Sequence, residues 1–247
     1  MAPDLSNRTA IVTGGSGFLG RDIVAGLRAA GCKVVILDCV VDTPSSDSDV
    51  IRIACDLVDP VATEVAVRRA WDEAGPIQIL VNAVGLIQNA PLVNVTAKGD
   101  RRHSFETWRS TIDANLTSVF LATVNHVDRM VALRTRGVVV SLSSVAAAGN
   151  AGQAAYSAAK AGVNAMTLAW AKELGLLGIR FVAIAPGFID TASTHAALSE
   201  EALKDLVKKT PLRRLGRASE ITSAVLFAVH NEHLTGKVLE IDGGMTL

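Results

Sequence analysis

One segment, Thr13-Gly-Gly-Ser-Gly-Phe-Leu-Gly20, restricts the fold more than any other stretch of the chain. The apolar run Thr9-Ala-Ile-Val-Thr13 leads into it. A helical pattern from Gly20 to Ala30 leaves it, with Ile23, Val24 and Leu27 on one side, and stops at Gly31. Gly15, Gly17 and Gly20 spell G-x-G-x-x-G, and Gly14, Gly17 and Gly20 also spell G-x-x-G-x-x-G. Glycine permits a tight turn and lets backbone N–H groups approach a pyrophosphate at a helix N-terminus. An ordinary strand-to-helix turn is the competing explanation for glycines alone. Their context argues against it, because the β-branched run Lys33-Val-Val-Ile-Leu-Asp38 completes a βαβ unit and ends in an acid. A carboxylate there accepts hydrogen bonds from both adenosine ribose hydroxyls and repels a 2′-phosphate. The following Cys39, Val40 and Val41 bring no cation to hold one. NAD(H) is therefore expected over NADP(H).

The alternation continues to the end of the chain. Strands are expected at Val50 to Cys55, at Ile77 to Val81 after Pro76, at Val138 to Leu142, at Arg180 to Ala185 and at Lys237 to Ile241. Helices are expected at Val58 to Ala74, Phe105 to Leu133, Ala154 to Leu176 and Ala218 to His230. Continuously apolar strands between helices imply a parallel sheet covered on both faces, a doubly wound Rossmann-type α/β fold. The 247 residues, 49% of them hydrophobic, can supply such a core, and no linker divides them, so one domain over residues 1–247 is expected. Two stretches fit less well. Asn89 to His103 is a polar loop, and Asp190 to Thr210 has a short helical pattern suited to a lid.

Charge and cysteine usage exclude several classes. Lys+Arg and Asp+Glu both number 24, which leaves no bulk attraction to nucleic acid or anionic lipid. No apolar run approaches the roughly 20 residues of a membrane span. The segment Met1 to Arg8 lacks the apolar centre of a signal peptide. Cys32, Cys39 and Cys55 cannot all pair and lack Cys-x-x-Cys spacing, so reduced thiols in a cytoplasmic protein are expected. His126 and His195 are not at ligand spacing, and no metal site is expected.

Catalytic chemistry enters at Tyr156-Ser-Ala-Ala-Lys160. Spacing of i,i+4 places a phenol and an ammonium on one helix face, where the cation lowers the phenol pKa toward working pH. Tyr156 is the only tyrosine, although the chain uses Phe six times. Ser143 lies 13 residues upstream at a strand end, where ligands bind in this fold.

With Asp56-Leu57, Asn82-Ala-Val-Gly85, Asn115-Leu116, Pro186-Gly-Phe-Ile-Asp-Thr191 and Asp242-Gly-Gly244, these features resemble the short-chain dehydrogenase/reductase family in its single-domain branch. They follow the family's order and span nearly the whole chain. The resemblance implies that Tyr156 exchanges a proton with the substrate oxygen, while Lys160 lowers its pKa and holds the nicotinamide ribose. It implies that Ser143 hydrogen-bonds the reacting oxygen and Asn115 holds a water linking Lys160 to solvent. Asp56 and Leu57 would meet adenine, and Asn82 the adenosine ribose. Ile189 and Thr191 would meet the carboxamide and phosphates, with Pro186 also binding the cofactor. Gly14, Ser16, Gly17, Phe18, Leu19 and Gly20 would form the phosphate loop, with Asp38 beyond it. Phe18 departs from the branch, which carries glycine there. The loop instead has the T-G-x-x-G-x-x-G form of a larger, epimerase-like branch.

The expected activity is NAD-dependent interconversion of a secondary alcohol and a ketone. Gly149-Asn-Ala-Gly-Gln-Ala-Ala-Tyr156 resembles 3-oxoacyl carrier-protein reductases, the alternative. Those enzymes generally use NADPH, and carrier docking needs basic surface such as Arg129, Arg134 and Arg136. A nucleotide-sugar epimerase or dehydratase and a dinucleotide-sensing regulator without turnover rank lower. The first would need a substrate domain, and the second typically lacks the Tyr or Lys. The helix Ala154 to Leu176 is apolar nearly all round, and the family packs it into dimers and tetramers. A homotetramer is expected, with a homodimer as fallback. Leu86 to Leu92, Val145, Ala147, Gln153, Phe188 and His195 are the expected substrate-pocket residues.

Overall fold

The structure is a computed structural model and describes residues 4–40 and 50–245. Val41, one of the residues weighed for cofactor choice, lies outside them. Seven parallel strands form one sheet in the order β3-β2-β1-β4-β5-β6-β7. They are β1 Thr9–Thr13, β2 Lys33–Asp38, β3 Val50–Ala54, β4 Ile79–Asn82, β5 Gly137–Leu142, β6 Ile179–Pro186 and β7 Lys237–Ile241. The helices are α1 Phe18–Ala29, α2 Pro60–Ala74, α3 Phe105–Ile112, α4 Ser118–Ala132, α5 Ala154–Leu174, α6 Ala192–Ala197, α7 Glu200–Lys209 and α8 Ala218–His230.

The strands read as continuous apolar runs because both faces are covered. Along β1 and β2, Ala10, Val12, Val34 and Ile36 face α1 and α8. The intervening Ile11, Val35 and Leu37 face α2 and α4. Chain direction reverses its progress across the sheet between β1 and β4, which pair directly. The carboxyl ends of the strands diverge there and leave a crevice.

Local chemistry sets the helix boundaries. Helix α2 starts two residues later than its apolar pattern suggests, because Asp59 accepts the Ala62 N–H at 2.8 Å and Pro60 takes the first helical position. The long helix expected over Phe105 to Leu133 is interrupted by a π-helical turn at Asp113–Thr117, which separates α3 from α4. Between β4 and α3 the chain makes a hairpin-like excursion, with a single bridge between Val93 and Arg102. The segment Asp190 to Thr210 contains both α6 and α7.

Candidate active site

A cavity of about 920 Å³ runs along the carboxyl edge of the sheet, from Asp38 and Asp56 at one end to Tyr156 and Thr191 at the other. Every residue of the Gly14–Gly20 loop except Gly15 lines it. Gly14 has φ +66°, and a Cβ on it would lie 2.9 Å from the Val84 nitrogen. A Cβ on Gly20 would meet the Gly14 carbonyl oxygen at 2.0 Å. The loop therefore folds onto itself in a way only glycine permits. It delivers the chain to α1 with Gly17 as a cap that has no side chain. The first intrahelical bond is Arg21 N–H to the Gly17 carbonyl, so the N–H groups of Phe18, Leu19 and Gly20 precede it. This N-terminus, opening into the cavity, suits a pyrophosphate.

Asp38 ends β2 at the same mouth. Its carboxylate accepts the Ser16 N–H at 3.0 Å and the Val40 N–H at 3.2 Å, so it also ties the glycine loop to the strand end. Cys39, Val40, Cys55, Leu57 and Val58 form a largely apolar wall beside it. Asp56 is exposed and accepts the Val58 N–H at 3.1 Å, and Asp59 caps α2. Arg21, which no sequence motif marked, lines this end as well. Both the loop and the elongated crevice fit a nicotinamide dinucleotide.

The other end holds the chemistry. Tyr156 and Lys160, one helical turn apart on α5, are both buried, and the Lys160 Nζ lies 5.6 Å from the Tyr156 ring centroid. The Lys160 ammonium donates to the Leu142 carbonyl at 2.8 Å, and its burial lowers its pKa to about 8. Tyr156 differs from expectation. Burial pushes its phenol above the ordinary value, and a hydrogen bond with Ser144 is the opposing influence. Burial is the largest influence on the phenol here, and the Lys160 ammonium is directed at the Leu142 carbonyl.

Both serines line the cavity: Ser143 donates to the Lys160 carbonyl at 3.2 Å, while Ser144 meets the Tyr156 hydroxyl. Asn82 does not reach the cavity. It is buried and donates to Thr123 and Ser141, bracing β4 against α4 and β5. Asn115 sits in the π-helical turn with its amide committed to the chain. It donates to Leu86 O at 2.7 Å and Thr111 O at 2.9 Å, and accepts from Leu86 N at 3.1 Å. Its side chain thus fixes the segment after β4.

Pro186, Ile189 and Thr191 line the cavity as expected, as do Ile87, Val145, Gln153 and Phe188. Of Leu86 to Leu92 only Ile87 does so, and neither Ala147 nor His195 does; His195 pairs with Asp190 at 2.7 Å on the surface. Motif reading missed Ser110, Asp113 and Asn150, which also line this end. Asn150 could have been found from the residues around Gln153, since its amide donates to the Gln153 side chain at 3.0 Å.

A family model described as short chain dehydrogenase matches residues 8–202. The 3-oxoacyl-[acyl-carrier-protein] reductase of Salmonella typhimurium is 34% identical over 245 residues, covering 96% of this chain and 97% of that protein. Its counterpart from Chlamydia muridarum is 35% identical over 253 residues, covering 98% of each. Among solved structures, the ligand-free aldohexose dehydrogenase of Thermoplasma acidophilum matches with a TM-score of 0.86 at 27% identity, covering 99% of this chain and 96% of that one.

Proposed function

The chain belongs to the short-chain dehydrogenase/reductase family, and on that premise we propose that it is an NAD-dependent enzyme interconverting a secondary alcohol and a ketone, with Tyr156 as its acid and base. Oxidoreductase action on CH–OH and keto groups comes with the family and its relatives. The observation that carries the finer reading is one continuous cavity joining Asp38 to the Tyr156–Lys160–Ser144 cluster.

A bound nicotinamide dinucleotide supplies the hydride acceptor in one direction and the donor in the other. In reduction, the Tyr156 hydroxyl gives its proton to the substrate oxygen as that oxygen gains charge; in oxidation, the phenolate takes it back. Ser144 donates to the same oxygen and holds it at hydrogen-bond distance from Tyr156. Lys160, one helical turn from Tyr156, would hold the nicotinamide ribose and, when protonated, stabilise the phenolate. Phe18, Leu19 and Gly20 would present N–H groups to the pyrophosphate, and Asp38 would hold the adenosine ribose diol. Val40, Leu57 and Val58, with Asp56 beside them, would form the surface that adenine meets.

The Asp38 carboxylate supports NADH, since a 2′-phosphate there would meet a fixed negative charge. Turnover of a panel of alcohols and ketones with NAD⁺, NADH and NADPH tests this. A faster rate with NADPH at equal subsaturating concentration overturns the cofactor assignment. A second reading, a 3-oxoacyl carrier-protein reductase, is favoured by the full-length relatives that carry that name. Preference for a 3-oxoacyl thioester over free alcohols and ketones distinguishes it.

The free cysteines Cys32, Cys39 and Cys55 are in keeping with a cytoplasmic protein. Among the described residues no helix is long and apolar enough to cross a membrane. A homotetramer is part of the same reading. Phe120 and Val124 on α4 and Leu168 on α5 remain exposed on helices whose other faces are buried, and a second copy would cover them.

A further inference from the structure

Phe18 is an apolar ring with no place in the core. It is 55% exposed, whereas the core phenylalanine Phe181 is 1% exposed. It opens α1, directly after the Gly17 cap, and it lines the cavity. Nothing in the backbone demands this residue. Position 18 lies inside the helix, and its φ is not among the positive values. The side chain therefore has to be explained by what it faces.

Helix geometry gives the direction. Every Cα–Cβ bond of an α-helix tilts toward the N-terminus, so the first helical side chain leans past the end of the helix. On α1 that end carries the N–H groups of Phe18, Leu19 and Gly20, aimed into the same cavity. The ring stands at the rim of the place where an anion would sit. Around it the loop offers only Ser16 and the two glycines Gly15 and Gly17, which give no cover of their own. A hydrogen bond from a helix N-terminus to an anion strengthens when water is kept away from it.

Resting on the dinucleotide reading above, we propose that Phe18 is the cover of the pyrophosphate, shielding it from water and slowing release of the bound dinucleotide. The ring acts on departure more than on arrival, because the N–H groups it covers are in place without it. Where cofactor release limits turnover, removing the ring raises kcat while weakening cofactor binding.

Stopped-flow release of NADH from the full-length protein, followed by nicotinamide fluorescence, tests this in wild type, Phe18→Ala and Phe18→Leu. Phe18→Ala is expected to release NADH roughly tenfold faster with a nearly unchanged association rate. Phe18→Leu should fall between the two. ADP-ribose, which keeps the pyrophosphate and lacks the nicotinamide, should lose affinity by a similar factor. The exposure of the ring makes both variants compatible with folding, which far-ultraviolet circular dichroism checks. Wild type that binds NADH, with Phe18→Ala releasing it at the same rate, overturns this inference alone. Wild type that binds no nicotinamide dinucleotide overturns the cofactor reading, and this inference with it.

Discussion

At the scale of the residue, two neighbouring serines take different partners at the site. Successive side chains at a strand end point to opposite sides. Ser143 therefore faces the Lys160 carbonyl, and Ser144 faces the Tyr156 hydroxyl. Ser144→Ala should lower kcat by about 10²-fold, the loss associated with one donor to a reacting oxygen, and leave NADH affinity unchanged. Ser143→Ala should cost about 1 kcal/mol of stability through the lost buried hydrogen bond and reduce turnover far less. Steady-state kinetics and urea unfolding on both variants decide the assignment, and the reverse pattern restores Ser143. The sequence could not separate them, because spacing to Tyr156 says nothing about which way a side chain turns. Asn82 failed for the same reason. Its place at the end of β4 was legible, while its orientation into the interior was set by Thr123 and Ser141, distant in sequence.

Elements were more legible than side-chain directions. Strands buried on both faces announce themselves as unbroken apolar runs, so β2, β5 and β6 are where the pattern puts them. The π-helical turn at Asp113–Thr117 was hidden, because one extra residue in a helix leaves the apolar stripe nearly intact. It draws Asn115 inward, to a place beside Gly85 and Lys160: a Cβ on Gly85 would lie 3.5 Å from the Asn115 Oδ1 and 3.9 Å from the Lys160 Nζ. Another device visible only in three dimensions ends α8. The Arg180 guanidinium on β6 donates to the carbonyls of Ala228, Val229 and Leu234, each at 2.9 Å. It satisfies acceptors that the helix end leaves open and docks α8 on the sheet. Arg180→Met is expected to destabilise the protein by roughly 2–4 kcal/mol, and Arg180→Lys by a comparable amount, since an ammonium cannot span three carbonyls. Thermal unfolding measures this. A lysine variant as stable as wild type would show that charge, not the fork, is what α8 needs.

For the whole molecule, pH dependence is set by groups that burial has moved. His126 is fully buried, accepts the Trp71 indole N–H at 3.2 Å, and has its pKa lowered to about 3. Below the unfolded value of about 6.5 the unfolded chain binds a proton that the folded chain refuses. This contribution to stability is therefore complete above about pH 6.5 and is lost as pH falls toward 3. His126→Gln, which can still accept from Trp71, should flatten that decline in denaturant titrations run across this range. An unchanged slope would assign the acid sensitivity to other groups. Tyr156 bears on function in the same way, and as the only tyrosine among 247 residues it gives the entire folded protein a single phenolate signal. Without cofactor, its burial should hold the optical titration above the free phenol value of about 10. On the proposed reading, saturating NAD⁺ would bring a positive nicotinamide beside the Tyr156–Lys160 pair and should shift that titration downward. The rate of alcohol oxidation should rise with pH along the shifted curve, because the phenolate is the form that accepts the proton. Tyr156→Phe should abolish the optical transition and nearly all turnover while keeping NADH binding. The most direct measurement is thus the phenolate absorbance of the wild-type protein against pH, with and without NAD⁺, overlaid on the oxidation rate. A downward shift that coincides with the activity profile is the expected result; a titration indifferent to NAD⁺, with activity rising at a different pH, would contradict Tyr156 as the acid and base.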